Sequence, residues 1–228
     1  MKKIVITGAL GYIGSELCKL YSGFSWKYDI VAIDNRFISE RVNELKRRKI
    51  KFIQADILDI DSIKPYIEKA EVIHHLAGIT DVAYVKKESD KAKDDLIEKV
   101  AIEGTANVLK SMNADATIVF PSTHVVFEGL KEQKENLDEN EKTNTFLTYS
   151  TSKVENENQI IKSGKKYAIF RLGSVYGFST DTMRINIMPN LFSKIASQNG
   201  KIKLFGGGVQ LKSLVPLIDV TRCFKFVE

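Results

Sequence analysis

The sequence predicts a doubly wound α/β fold, a parallel sheet with helices on both faces, followed by a small C-terminal lobe. Three observations lead there. Short runs rich in Ile and Val recur over the first 172 residues, longer segments with helical spacing separate them, and a glycine-rich turn closes the first run.

Taken in order, the strand-like runs cover 3–7, 29–33, 51–53, 72–76, 117–120 and 167–172. Helical spacing covers 14–21, 39–49, 62–70, 94–111 and 149–163. The 128–148 segment is polar and follows a strand, which predicts a surface loop flanking the site. Beyond Gly177 the alternation stops: a helix is expected over 185–198, then a turn at Gly206-Gly207-Gly208. This divides the chain into a dinucleotide-binding domain, 1–177, and the start of a substrate-binding lobe, 178–228, with return segments to the core.

Bulk composition narrows the classes of function. With 228 residues, 43% hydrophobic and 28% charged, the chain can bury one large core, and disorder is excluded. An excess of 34 basic over 29 acidic residues is too thin and too dispersed for nucleic-acid binding, although it suits a phosphate-bearing substrate. Cys18 and Cys223 form no CxxC or Cys/His cluster, and three histidines without acidic partners make no metal site, so a reducing cytoplasm is expected. Without a leader segment or an 18-residue apolar run, membrane attachment is not expected.

The first strand runs into Gly8-Ala9-Leu10-Gly11-Tyr12-Ile13-Gly14, which opens a helix. Glycines there let the backbone approach a pyrophosphate, held by the free amides and positive dipole end of the helix. Asp34, 20 residues after Gly14, closes the second strand beside Asn35, where an acid hydrogen-bonds a ribose diol. Its carboxylate repels a 2′-phosphate, so NAD is expected over NADP, with the neighbouring Arg36 leaving NADP open. Asp56 and Ile57 follow the third strand, and Leu76, Ala77 and Gly78 end the fourth, at the carboxyl edge where open parallel sheets bind ligands. His74 and His75 are read as strand-end packing or surface residues.

Of eight tyrosines only Tyr149 has a lysine four residues on, Lys153, which places both on one helix face. A neighbouring cation and an oxidised nicotinamide favour the phenolate, making Tyr149 an acid–base group. Thr123, in Pro121-Ser122-Thr123 at the end of the fifth strand, brings a hydroxyl to the same edge.

This ordered set resembles the extended short-chain dehydrogenase/reductases, the NAD-dependent epimerase/dehydratase family, over essentially the whole chain. Ser122 to Gly129 is similar to its S-[ST]-x-x-V-[YF]-x-G stretch, and Arg171 to Gly177 to its R-x-x-N-V-Y-G stretch. Phe205-Gly206 and Lys212 to Asp219 resemble a later G-x-G-x-x-R-x-x-[IV]-x-V-x-D segment. The resemblance implies a Rossmann fold, NAD as cofactor, catalytic Thr123, Tyr149 and Lys153, and substrate contacts from Thr123, Ser174 and Lys212. It also implies a UDP-, GDP- or dTDP-linked sugar as substrate and a homodimer, with Leu96, Val100, Val108 and Leu109 as apolar contacts.

There are departures from the pattern. Ala101 stands where the family's N-x-x-G-T motif has Asn, Ser174 replaces Asn, and Lys212 replaces Arg, giving a point charge in place of a bidentate fork. The family continues past the equivalent of Glu228, so much of the substrate lobe is expected to be missing or shortened. The leading expectation is a nucleotide-sugar epimerase acting by transient oxidation to a keto intermediate. Alternatives are a ketosugar reductase, a dehydratase (for which His124-Val125 supplies no acidic pair after Thr123) and a non-catalytic dinucleotide-sensing domain.

Overall fold

The computed structural model describes residues 1–80, 90–132, 134–179, 184–204 and 206–228. The strands β1 (Lys2–Thr7), β2 (Tyr28–Asp34), β3 (Lys51–Gln54), β4 (Val72–His75), β5 (Thr117–Thr123) and β6 (Lys166–Leu172) form one six-stranded sheet. Their order is β3-β2-β1-β4-β5-β6 and every neighbouring pair is parallel. The expected doubly wound sheet is therefore present, and the order reverses between β1 and β4, which opens a ligand crevice at the strands' carboxyl ends.

Side chains alternate across β1. Ile4 and Ile6 enter one core with Leu17, Tyr21 and Ala32, while Val5 enters the other with Ile33, Ile63, Ile73 and Ile118. The first core is covered by α1 (Tyr12–Ser22) and α2 (Ser39–Arg47), the second by α3 (Ile60–Ile67), α4 (Lys91–Ser111) and α5 (Thr148–Lys162). Burying both faces explains why the strands read as continuous apolar runs.

After residue 172 the chain forms β7 (Ser174–Tyr176), α6 (Met188–Ser197), β8 (Leu214–Pro216) and α7 (Leu217–Phe226). β7 and β8 pair in parallel as a separate two-stranded sheet. α7 returns to the first core, where Leu217, Val220 and Phe224 are buried beside Tyr21 and Val119. The short sheet and α7 were not anticipated: three-residue strands carry no usable periodicity, and the helix starts directly after Pro216 inside a stretch that resembles a family motif.

Of the four α4 residues expected at a dimer contact, Val108 is fully buried in the second core, Val100 and Leu109 pack against that core partly buried, and Leu96 is exposed. Among the described residues no helix is long and apolar enough to cross a membrane.

Candidate active site

Parallel strands deliver all their carboxyl ends to one edge, so the turn after β1, Asp34, Asp56, the residues after β4, and Thr123 lie along one edge of the sheet. The glycine turn is built for close backbone approach. Gly8 has φ +67°, and a Cβ there would lie 2.7 Å from the Ala77 nitrogen; one on Gly14 would lie 2.3 Å from the Gly8 carbonyl oxygen. α1 has no side-chain cap, so its first-turn amides at Tyr12 and Ile13 face the turn as an anion cradle. These features fit a dinucleotide pyrophosphate.

Asp34, 5% exposed, accepts from the Leu10 amide at 2.9 Å and from the Arg36 amide and Nε at 3.1 and 3.0 Å. Asn35 Nδ2 donates to Asp56 Oδ2 at 3.1 Å, so these two predicted residues meet. Ile57 is placed differently: its side chain is buried, in the space left by the missing side chain of Gly104, leaving only its backbone at the edge. Leu76 and Ala77 run against Gly8, whereas Gly78 borders open space.

α5 holds Tyr149 and Lys153 one turn apart, with the Lys153 ammonium 5.8 Å from the Tyr149 ring centroid. Lys153 Nζ donates to the Pro121 carbonyl at 2.8 Å and lies 4.4 Å from the Phe120 ring centroid, while Tyr149 faces the Thr123 hydroxyl. The sequence-predicted trio is thus assembled. Burial pushes the Tyr149 phenol above its ordinary value, outweighing the opposing influence of the Arg184 guanidinium and the Thr123 hydroxyl. Burial also lowers the Lys153 ammonium to about 8, against the support of the Glu157 carboxylate.

α5 itself starts without a side-chain cap, because its N-cap is Leu147. Glu128 fills that role from outside: its Oε1 accepts from the Phe146 and Leu147 amides at 3.2 and 2.9 Å and from the Ser150 hydroxyl. Among the described residues, the expected surface loop between them contains no strand or α-helix, and its base is closed by Gly129 N donating to the Asn144 carbonyl at 2.8 Å.

Several residues escaped sequence reasoning. Arg184 Nη2 donates to the Thr80 carbonyl at 2.7 Å, bringing a cation toward Tyr149. His75 is buried between the Thr7 and Thr105 hydroxyls at 2.9 and 3.0 Å, and Thr105 also accepts from Asn156 Nδ2 at 3.0 Å. His74, equally buried, bonds the Tyr21 hydroxyl at 2.7 Å. Both histidines therefore take the packing role. Ser174 lies on β7, and Lys212 is exposed shortly before β8; among the described residues neither hydrogen-bonds to Thr123, Tyr149 or Lys153. Phe205 lies outside the described residues.

Comparison with known proteins bears on this arrangement. The chain is 26% identical over 243 residues to a UDP-N-acetyl-alpha-D-glucosaminuronate decarboxylase of Bacillus cytotoxicus, a match covering the whole chain and 68% of the relative. It is 31% identical over 110 residues to protein 052L of Frog virus 3, covering 48% of this chain and 29% of that protein, so it spans under a third of that relative's length. Its fold matches the crystal structure of a UDP-glucuronic acid 4-epimerase from Bacillus cereus with a TM-score of 0.81 at 23% identity, covering 96% of this chain and 71% of that one. The family pattern described as NAD dependent epimerase/dehydratase family matches residues 4–227. The chain therefore belongs to that family, NAD-dependent enzymes of the extended short-chain dehydrogenase/reductase type.

Proposed function

We propose that the chain carries the NAD-binding and proton-transfer machinery of a nucleotide-sugar epimerase. The observation that carries this reading is the convergence of Thr123, Tyr149 and Lys153 on the sheet edge that also bears the glycine turn and Asp34. Gly11, Tyr12 and Ile13 would hold the pyrophosphate, Asp34 the adenosine ribose, and Lys153 and the residues after β4 the nicotinamide end. When bound, NAD supplies a reversible acceptor for the hydrogen on the sugar carbon.

Tyr149 takes the proton of the sugar hydroxyl, with Thr123 bonded to the same oxygen to fix its position. The Lys153 ammonium, held by the Pro121 carbonyl, stabilises the negative charge that develops on the phenol. Tyr149 then returns the proton when the keto sugar is reduced on its other face, so net redox is zero. Ser174 and Lys212 serve the nucleotide end, Lys212 as a point charge for phosphate. Absence of a carboxylate directly after Thr123, where His124 and Val125 stand, favours epimerisation over dehydration.

The reading includes a homodimer formed through α4 and α5, where Leu96 and Ile161 are 49% and 51% exposed. Light scattering tests it; a monomer at micromolar concentration counts against the dimer.

The decisive assay incubates the chain with NAD and UDP-, GDP- or dTDP-linked sugars and follows the anomeric signals by NMR. An epimerase reaches the same mixture from either epimer without consuming NAD. One-way turnover requiring reduced cofactor would establish a reductase, and loss of water a dehydratase; either result overturns the reading.

A further inference from the structure

Arg171 opens the Arg171 to Gly177 stretch but has no part in the chemistry above. Its side chain reaches back to α5, where Nε and Nη2 donate to Glu157 Oε1 and Oε2 at 3.1 and 2.8 Å. The same carboxylate accepts from the Ser122 hydroxyl, and Glu157 is 5% exposed. A bidentate, buried ion pair is geometrically exacting, because each oxygen has a fixed partner.

Its place along the helix is what matters. Tyr149, Lys153 and Glu157 recur every four residues on one face of α5, and each meets one of three consecutive β5 residues. Tyr149 faces the Thr123 hydroxyl, Lys153 donates to the Pro121 carbonyl, and Glu157 accepts from the Ser122 hydroxyl. Arg171, whose strand pairs with β5 so that Ser122 lies opposite Arg171, closes the grip from the far side.

We propose that Glu157, gripped by Arg171 and Ser122, is a positioning residue that sets α5 so that Tyr149 and Lys153 meet the end of β5. This rests on the reading of Tyr149 and Lys153 as the proton-transfer pair. The carboxylate also supports the Lys153 charge across one helical turn. Among the described residues, the other titratable or charged groups around Lys153 are Tyr149 on its own helix, buried His75 of β4, which burial lowers to about 3, and Arg171 of β6 behind Glu157.

The test uses Glu157→Gln and the double variant Glu157→Gln/Arg171→Met, in which no unpaired guanidinium remains to unfold the chain. Acetic anhydride labelling across pH, read by mass spectrometry of the Lys153 peptide, reports when the amine loses its proton. The midpoint should fall by about half a pH unit or more in both variants, as expected when a nearby carboxylate is removed. On a nucleotide sugar that the wild type turns over, kcat should drop about tenfold while KM and NAD affinity stay within about twofold. A labelling midpoint unchanged in both variants, or kcat falling only in parallel with NAD affinity, overturns the proposal. Labelling needs no substrate, so failure of the wild type on every nucleotide sugar would sink the epimerase reading and still leave this proposal decided.

Discussion

The amide of Leu10 donates to Asp34 Oδ2 at 2.9 Å, which fastens the glycine turn after β1 to the acid that ends β2. One carboxylate therefore shapes the glycine turn and, in the proposed reading, would also accept from the adenosine ribose. Asp34→Ala should weaken NAD binding by about 1–3 kcal/mol, the scale of a lost charged hydrogen-bond partner. Calorimetry giving wild-type affinity would refute the assignment.

Gly14 lies inside α1, where alanine is ordinarily preferred to glycine by about 1 kcal/mol. Here its Cβ would stand 2.3 Å from the Gly8 carbonyl oxygen and 2.8 Å from the Ala9 Cα, both backbone atoms that cannot rotate away. The clash should win: Gly14→Ala is expected to cost about 1–3 kcal/mol of stability and to impair NAD binding. Urea melts with and without NAD measure both.

Tyr149→Phe removes only the transferable proton. Turnover should fall by about 10²–10⁴, the range of general acid–base catalysis, with NAD affinity nearly intact. Full activity would remove Tyr149 from the mechanism, whereas parallel loss of NAD binding would make it structural.

Glu128 caps the helix on which Tyr149 sits, so Glu128→Ala leaves the Phe146 and Leu147 amides without their carboxylate. The expected cost is about 1–2 kcal/mol, seen as a lower denaturation midpoint. Glu128→Gln, which keeps an accepting oxygen, should recover part of it.

His74 and His75 are fully buried, and burial lowers each to about 3. In the unfolded chain they take up protons near pH 6.5. As pH falls from about 6.5 toward 3 the unfolded state binds more protons, so stability is lost across that window. The loss should be on the order of 1–2 kcal/mol per histidine at pH 5. Comparing urea midpoints at pH 7 and pH 5 tests this, and His74→Gln should shrink the difference.

Much of the fold was legible because β strands buried on both faces and helices with one apolar stripe leave local patterns. The segments expected at 39–49 and 149–163 appear as α2 (Ser39–Arg47) and α5 (Thr148–Lys162), and all six main strands occur where Ile and Val concentrate. The candidate site was legible for a related reason: the glycine turn, Asp34, Thr123, Tyr149 and Lys153 each have a local signature, and parallel topology sends every strand end to one edge. β7, β8 and α7 were not legible, since their pairing and burial depend on partners more than 30 residues away in the sequence.

By itself, then, the sequence determined the alternation of elements, the glycine turn and the i, i+4 pair, because these follow from backbone sterics and helical or strand periods within a few residues. Only the tertiary structure decided which groups meet across the fold. That Arg171 grips Glu157, that Glu128 caps α5, that Val108 faces its own sheet and that Arg184 approaches Tyr149 are all long-range outcomes of packing. Such contacts are fixed by how two buried faces close over one sheet, and no local period encodes them.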